Sequence, residues 1–132
     1  MKADEKKYFP MFVDLTQKKV TVIGAGNIAK RRIETLLSFA GTIEVIAPDA
    51  CERIKELAKE GRLVWKEKEY DREDLYDADL VLSATNNEKV NNDVYSACKC
   101  LGISVNTASN RMKCDFYFPS ILQKEETVIG LN

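Results

Sequence analysis

Val20-Thr21-Val22-Ile23-Gly24-Ala25-Gly26-Asn27-Ile28-Ala29 is the stretch on which the reading of this chain turns. Lys19 to Ile23 is rich in β-branched residues and predicts a buried strand ending at Gly24. From Asn27 onward, Ala29, Ile33, Leu36, Leu37 and Ala40 fall on one helical face, with Gly41 as the stop. Between strand and helix stands a GxGxxA turn. Gly24 permits the tight reversal, and Gly26 lets a pyrophosphate approach the backbone. Ala29 allows helix and strand to pack closely, while the helix N-terminus offers free N–H groups and the positive end of its dipole. A plain tight turn would use the same glycines, but the strand before and the amphipathic helix after them favour dinucleotide binding.

Working outward, Thr42–Ala47 predicts the next strand, and Asp49 opens a helix with a capping-box pattern to Glu52 and a stripe of Ala50, Ile54, Leu57 and Ala58. Leu63–Trp65 and Leu80–Ala84 read as further strands. Thr85 to Glu88 is a second capping box, starting a helix with Val90, Val94, Ala97, Cys98 and Leu101 on its face, and Ile103–Asn106 is a fifth strand. Tyr8–Leu15, which holds Pro10, suits an edge strand. Phe116–Phe118 and Thr127–Gly130 read as a hairpin around Gln123–Glu126. The alternation predicts an α/β fold: a doubly wound parallel sheet of the Rossmann type with a C-terminal β-hairpin. It forms one domain over residues 1–132, of which residues 1–7 are a charged, disordered tail. Ligands of such sheets gather at the carboxyl ends of the strands, here after Ile23, Ala47 and Ala84.

The composition narrows the chemistry. Among 132 residues, 20 Lys and Arg face 21 Asp and Glu, so no basic field draws nucleic acid or an anionic membrane. The histidine count is zero, which excludes Ser-His-Asp and Cys-His pairs, histidine-ligated zinc and any imidazole base. Proton transfer is left to carboxylates, Lys, Tyr, Cys or solvent. Cys51, Cys98, Cys100 and Cys114 form no CxxC pair, and free thiols in a reducing cytoplasm are the expectation. No apolar run approaches the ~18 residues of a membrane span, so no membrane anchor is expected, and without histidine or a CxxC pair no metal site is expected either.

Four places on the strand tips carry candidate residues. The glycine turn contributes Gly24, Gly26, Asn27 and Ile28. At the end of the second strand, Pro48 and Asp49 occupy the region where an acid would grip a ribose 2′-OH, and Asp49 reads equally as a helix cap. No arginine stands at that tip to take a 2′-phosphate, since Arg53 is a helical turn further on, which leans toward NAD over NADP. Thr85 and Asn86 follow the fourth strand. Asn106-Thr107-Ala108-Ser109-Asn110, with Arg111, Lys113 and Asp115, lies past the fifth, nearest a nicotinamide pocket. Lys30-Arg31-Arg32 reads as the solvated face of its helix, although a polyanionic substrate could use it.

Taken in order, the Tyr8-Phe9-Pro10-Met11-Phe12-Val13-Asp14-Leu15 prelude, the glycine turn, Ser83-Ala84-Thr85-Asn86, Val105-Asn106 and Cys114-Asp115-Phe116-Tyr117-Phe118-Pro119-Ser120 form a pattern. It resembles the NAD-binding domain of precorrin-2 dehydrogenase, the N-terminal part of siroheme synthase, over about residues 8–131. The resemblance implies NAD-dependent oxidation of precorrin-2 to sirohydrochlorin in siroheme biosynthesis, with ferrochelation as a second activity of many members. It places cofactor contacts on Asn27, Ile28, Pro48 and Asp49. It also implies a homodimer built by a helical region that relatives carry beyond these residues. A cationic rim for the tetrapyrrole would draw on Lys30, Arg31, Arg111 and Lys113.

The family's catalytic aspartate falls three residues after Asn106, where this chain has Ser109. A serine cannot act as a base of pKa about 4. Asp115 is the next carboxylate in sequence, in a different family motif. Two alternatives follow: a non-catalytic NAD(H)-binding regulatory module like those of potassium transporters, or a degenerate relative that binds tetrapyrrole without reacting.

Overall fold

In the computed structural model, residues 6–124 and 127–131 are described. β1 (Lys19–Ile23) is the centre of a five-stranded parallel sheet in the order β3-β2-β1-β4-β5, with β2 Thr42–Ala47, β3 Val64–Glu67, β4 Leu80–Ser83 and β5 Ser104–Thr107. Its neighbours are β2, with Ile23 opposite Ile46, and β4, with Ile23 opposite Ser83. The chain crosses from one side of β1 to the other between β3 and β4. The switch point of this doubly wound sheet therefore lies between β1 and β4.

Alternation along the strands gives each face its own core. Val20, Val22, Ile43, Val45 and Leu82 pack with Ala29, Ile33 and Leu36 of α1 (Asn27–Leu36) and with Ile54 and Leu57 of α2 (Glu52–Lys59). Ile23, Ile46, Val81 and Val105 face the other way, toward Val94, Ala97 and Cys98 of α3 (Glu88–Leu101) and toward Leu75. β1 is buried along most of its length because both faces are covered.

Several expected boundaries move, each for a visible reason. Tyr8–Leu15 is not a strand: its backbone joins neither edge of the sheet, and Tyr8 is held by its hydroxyl, which donates to the Cys114 carbonyl. Phe9, Met11 and Phe12 stand exposed, and only Leu15 of this segment packs on the core. α1 ends at Leu36 rather than Ala40, closing in a turn where Phe39 and Ala40 donate to the Leu36 carbonyl. β3 runs Val64–Glu67, displaced from the expected Leu63–Trp65.

The hairpin forms, but its first strand is β6 Ser120–Lys124 against β7 Thr127–Leu131, not Phe116–Phe118. Residues 114–116 are held instead along the outer edge of β5, where Asp115 N–H donates to the Val105 carbonyl and Asn106 Nδ2 to the Phe116 carbonyl. The expected tail falls largely on residues 1–5, which lie outside the described residues, as do Glu125 and Glu126 of the expected hairpin. Among the described residues no helix is long and apolar enough to cross a membrane.

Candidate functional site

The carboxyl ends of β1, β2, β4 and β5 bring the glycine turn, Pro48-Asp49, Thr85-Asn86 and the Asn106–Asn110 loop to one rim. Gly24 has φ +110°, and a Cβ placed on it would lie 2.4 Å from the Ala84 carbonyl oxygen. The tips of β1 and β4 therefore meet at a distance that only glycine allows. Gly24 N–H donates to the Ile46 carbonyl and Ala84 N–H to that of Ile23, which locks three strand ends together.

Gly26 is the N-cap of α1 and has no strained angle, but a Cβ there would meet nothing within 4 Å. It faces open space. No side chain caps this helix and no acid stands in its first turn, so its leading N–H groups face the rim without a protein acceptor. Ala29 is fully buried against the strand, as close helix packing requires, whereas Ile28 stands 49% exposed. Backbone donors, a space no Cβ enters and an apolar side chain at its edge fit a diphosphate and the flat groups attached to it.

The loop after β2 is drawn across this turn by Cys51 N–H, which donates to the Ala25 carbonyl at 2.9 Å. For that reason the expected Asp49–Glu52 capping box does not form. α2 starts at Glu52 with Cys51 as a cap that makes no side-chain hydrogen bond. Asp49 instead accepts from the Ala50 N–H, and its exposed carboxylate lies 3.6 Å from Lys55. Pro48 and Asp49 both remain open to solvent beside the glycine turn. Arg53 is occupied by Glu34 and Glu56 and does not reach the strand tip as a free cation.

After β4 the expected Thr85–Glu88 box is also replaced. Asn87 is the N-cap of α3, accepting from Lys89 and Val90. Thr85 is released to a different partner, Asn91, which sequence reasoning passed over. Asn91 is 1% exposed. Its Oδ1 accepts from Ser83 Oγ at 2.8 Å and from Thr85 Oγ1 at 2.7 Å, while Nδ2 donates to the Thr85 carbonyl and to Glu88 Oε1. The same Nδ2 lies 3.5 Å from Ser109 Oγ. One buried amide thus ties the β4 tip, the Thr85-Asn86 turn and Ser109 together. The available signal was an asparagine on the face of α3 otherwise built from Val94, Ala97 and Cys98.

Ser109 stands exposed on the rim, and Ala108 N–H anchors its loop to the Ser83 carbonyl. Asn86 is exposed as well. Asp115 lies lower, on the edge of β5: both its oxygens accept from Lys99 at 2.6 Å, and Oδ2 also accepts from Val105 N–H. Burial pushes the Cys98 thiol up to about 11 and raises that of Cys114, so neither supplies a thiolate near neutrality. Among the described residues no three His, Cys, Asp or Glu side chains converge on a metal site. Arg32, expected on the solvated face of α1, is half-buried instead, with its guanidinium 4.7 Å from the centre of the Phe118 ring.

This sheet order and this turn define a Rossmann-type dinucleotide-binding domain. Residues 11–120 match the NAD_binding_7 family, described as "Putative NAD(P)-binding", and the chain belongs to that family. It is 39% identical over 93% of its length to the "Probable multifunctional siroheme biosynthesis protein HemA" of Ruminiclostridium josui. It is 36% identical over 96% of its length to the "Siroheme synthase" of Pseudoalteromonas atlantica. The chain spans only about a quarter of each of those relatives, 24% and 27%. Among solved structures, "SirC, precorrin-2 dehydrogenase" superposes with a TM-score of 0.76 at 27% identity, covering 95% of this chain and 61% of that one.

Proposed function

We propose that this chain binds NAD and carries the NAD-dependent oxidation of precorrin-2 to sirohydrochlorin in siroheme biosynthesis. The likeness to a precorrin-2 dehydrogenase over 95% of the chain carries the reading, and the siroheme-synthase relatives support it. The α1 N–H groups and Gly24-Ala25-Gly26 hold the diphosphate, with Asn27 and Ile28 alongside. Pro48 and Asp49 flank the adenosine ribose, where an acid and the absence of a free arginine favour NAD over NADP. Thr85 and Asn86 border the nicotinamide end, near Ser109. When bound, NAD supplies the hydride acceptor.

Oxidation releases a proton as well as a hydride. At 109 a hydroxyl replaces the carboxylate, and the Asp115 carboxylate is occupied by Lys99 and Val105, so water at the open rim takes the proton. The same replacement leaves chelation outside the proposal. Free thiols support a cytoplasmic setting, and a homodimer follows from the family resemblance alone.

Two measurements test this reading. Gly26→Ala is expected to change stability by no more than about 1 kcal/mol, because the new methyl meets open space. NAD affinity in isothermal titration should nonetheless fall at least about tenfold, since the methyl fills the approach of the diphosphate. An unchanged Kd would remove the diphosphate from this turn. With precorrin-2 and NAD supplied, the wild-type chain should develop sirohydrochlorin absorbance. Ser109→Asp should do so about tenfold faster or more, because a positioned base typically contributes factors of that size and above. Tight NAD binding with no turnover by either protein would sink the enzymatic reading and leave the regulatory one.

A further inference from the structure

Beyond the rim, a shallow cleft of about 250 Å³ is lined by Arg32, Asn106, Arg111, Tyr117 and Phe118. It lies where α1, β5 and the segment following β5 meet. We propose that Arg32 and Arg111 form a carboxylate subsite that grips one acidic arm of a polycarboxylate ligand. The proposal deepens the functional reading above, since precorrin-2 belongs to that chemical class.

Three observations carry it. First, the two cations come from separate elements, α1 and the short turn Arg111–Lys113, and the fold brings both to one cavity. Second, neither is ion-paired among the described residues, unlike Arg53 and Arg72, so both charges are left for a ligand. Third, each guanidinium rests against an aromatic wall of the cleft, Arg32 4.7 Å from the Phe118 centroid and Arg111 5.4 Å from that of Tyr117. Rings hold the arginine stems without neutralising them, and the planar fork keeps its N–H edges for a carboxylate. Arg111 Nε also donates to the Tyr117 hydroxyl at 3.4 Å, and Asn106 Nδ2 to the Phe116 carbonyl, so the wall is braced from behind.

Size and position select the ligand. The volume admits an acetate or propionate arm and not a macrocycle, so the ring would lie outside against the open rim. Asn106 lines the cleft and stands three residues before Ser109 on the same β5 exit, which puts the held arm next to the proposed reaction site.

The test uses the NAD-loaded protein and two probes. Fluorescence anisotropy of uroporphyrin, a polycarboxylate that is not a substrate, reads the subsite without turnover. Arg32→Gln and Arg111→Gln are each expected to weaken it about tenfold or more. Arg32→Lys should recover part of the loss, because charge returns without the fork. NAD affinity should hold in all three, which separates a lost subsite from a lost fold. In the precorrin-2 assay the same glutamine variants should raise KM by a similar factor. Equal uroporphyrin affinities in wild type and variants, or no wild-type binding, would overturn the subsite. Arginine-dependent uroporphyrin binding without any precorrin-2 turnover would uphold the subsite and remove the dehydrogenase reading.

Discussion

Gly24→Ala should destabilise the fold by about 2–5 kcal/mol, a large share of the roughly 5–15 kcal/mol typical of a domain. Two costs combine. At φ +110° an L-residue is strained by about 1–2 kcal/mol. The added Cβ would also overlap the Ala84 carbonyl oxygen at 2.4 Å and its carbon at 2.7 Å, both backbone atoms of the neighbouring strand exit. Relief requires β1 and β4 to separate, at a further ~1–3 kcal/mol. Urea denaturation reads the sum as a lower midpoint. NAD binding should be lost with it, because the same displacement moves the start of α1. An unfolding free energy within about 0.5 kcal/mol of wild type would show that the two strand tips are not locked as described.

Asn91→Leu ranks second, at about 2–4 kcal/mol. The substitution keeps the approximate volume but leaves Ser83 Oγ, in a residue with 0% exposure, without its acceptor. Thr85 loses an acceptor for its hydroxyl and a donor for its carbonyl. Each stranded polar group costs about 1–3 kcal/mol, moderated where solvent reaches Thr85. A double-mutant cycle separates this from lost packing: Ser83→Ala should cost about 1 kcal/mol in the wild type and recover about 1 kcal/mol in the Asn91→Leu background, where it removes the stranded hydroxyl. NAD affinity should fall too, as the Thr85-Asn86 turn loses its anchor. Additive costs across the cycle would mean that the Ser83–Asn91 hydrogen bond contributes nothing to stability.

These two residues mark different limits of sequence reading. Gly24 was legible because a glycine ending a β-branched run and followed by GxxA has one common mechanical explanation. Asn91 was not, because its partners lie six and eight residues back at a strand tip and eighteen residues ahead in another loop. The capping boxes show a third limit. Asp49–Glu52 and Thr85–Glu88 have the right spacing, yet Cys51 is held by Ala25 and Thr85 by Asn91, so both helices begin later than local chemistry prefers.

The sequence by itself was sufficient for the doubly wound parallel architecture, the glycine turn and the family pattern, because strand and helix periodicity and turn chemistry are local properties. Zero histidines and Ser109 likewise limit the acid–base chemistry without any structure. Only the tertiary structure decided which polar groups meet. It left the Tyr8–Leu15 prelude outside the sheet, with residues 114–116 along the outer edge of β5 instead, and gave the Asp115 carboxylate to Lys99. It turned Arg32 from the solvated side of α1 toward Phe118 and Arg111 across the β5 exit. Those outcomes depend on distances between segments far apart in the chain, which packing of the two cores sets and no local pattern encodes.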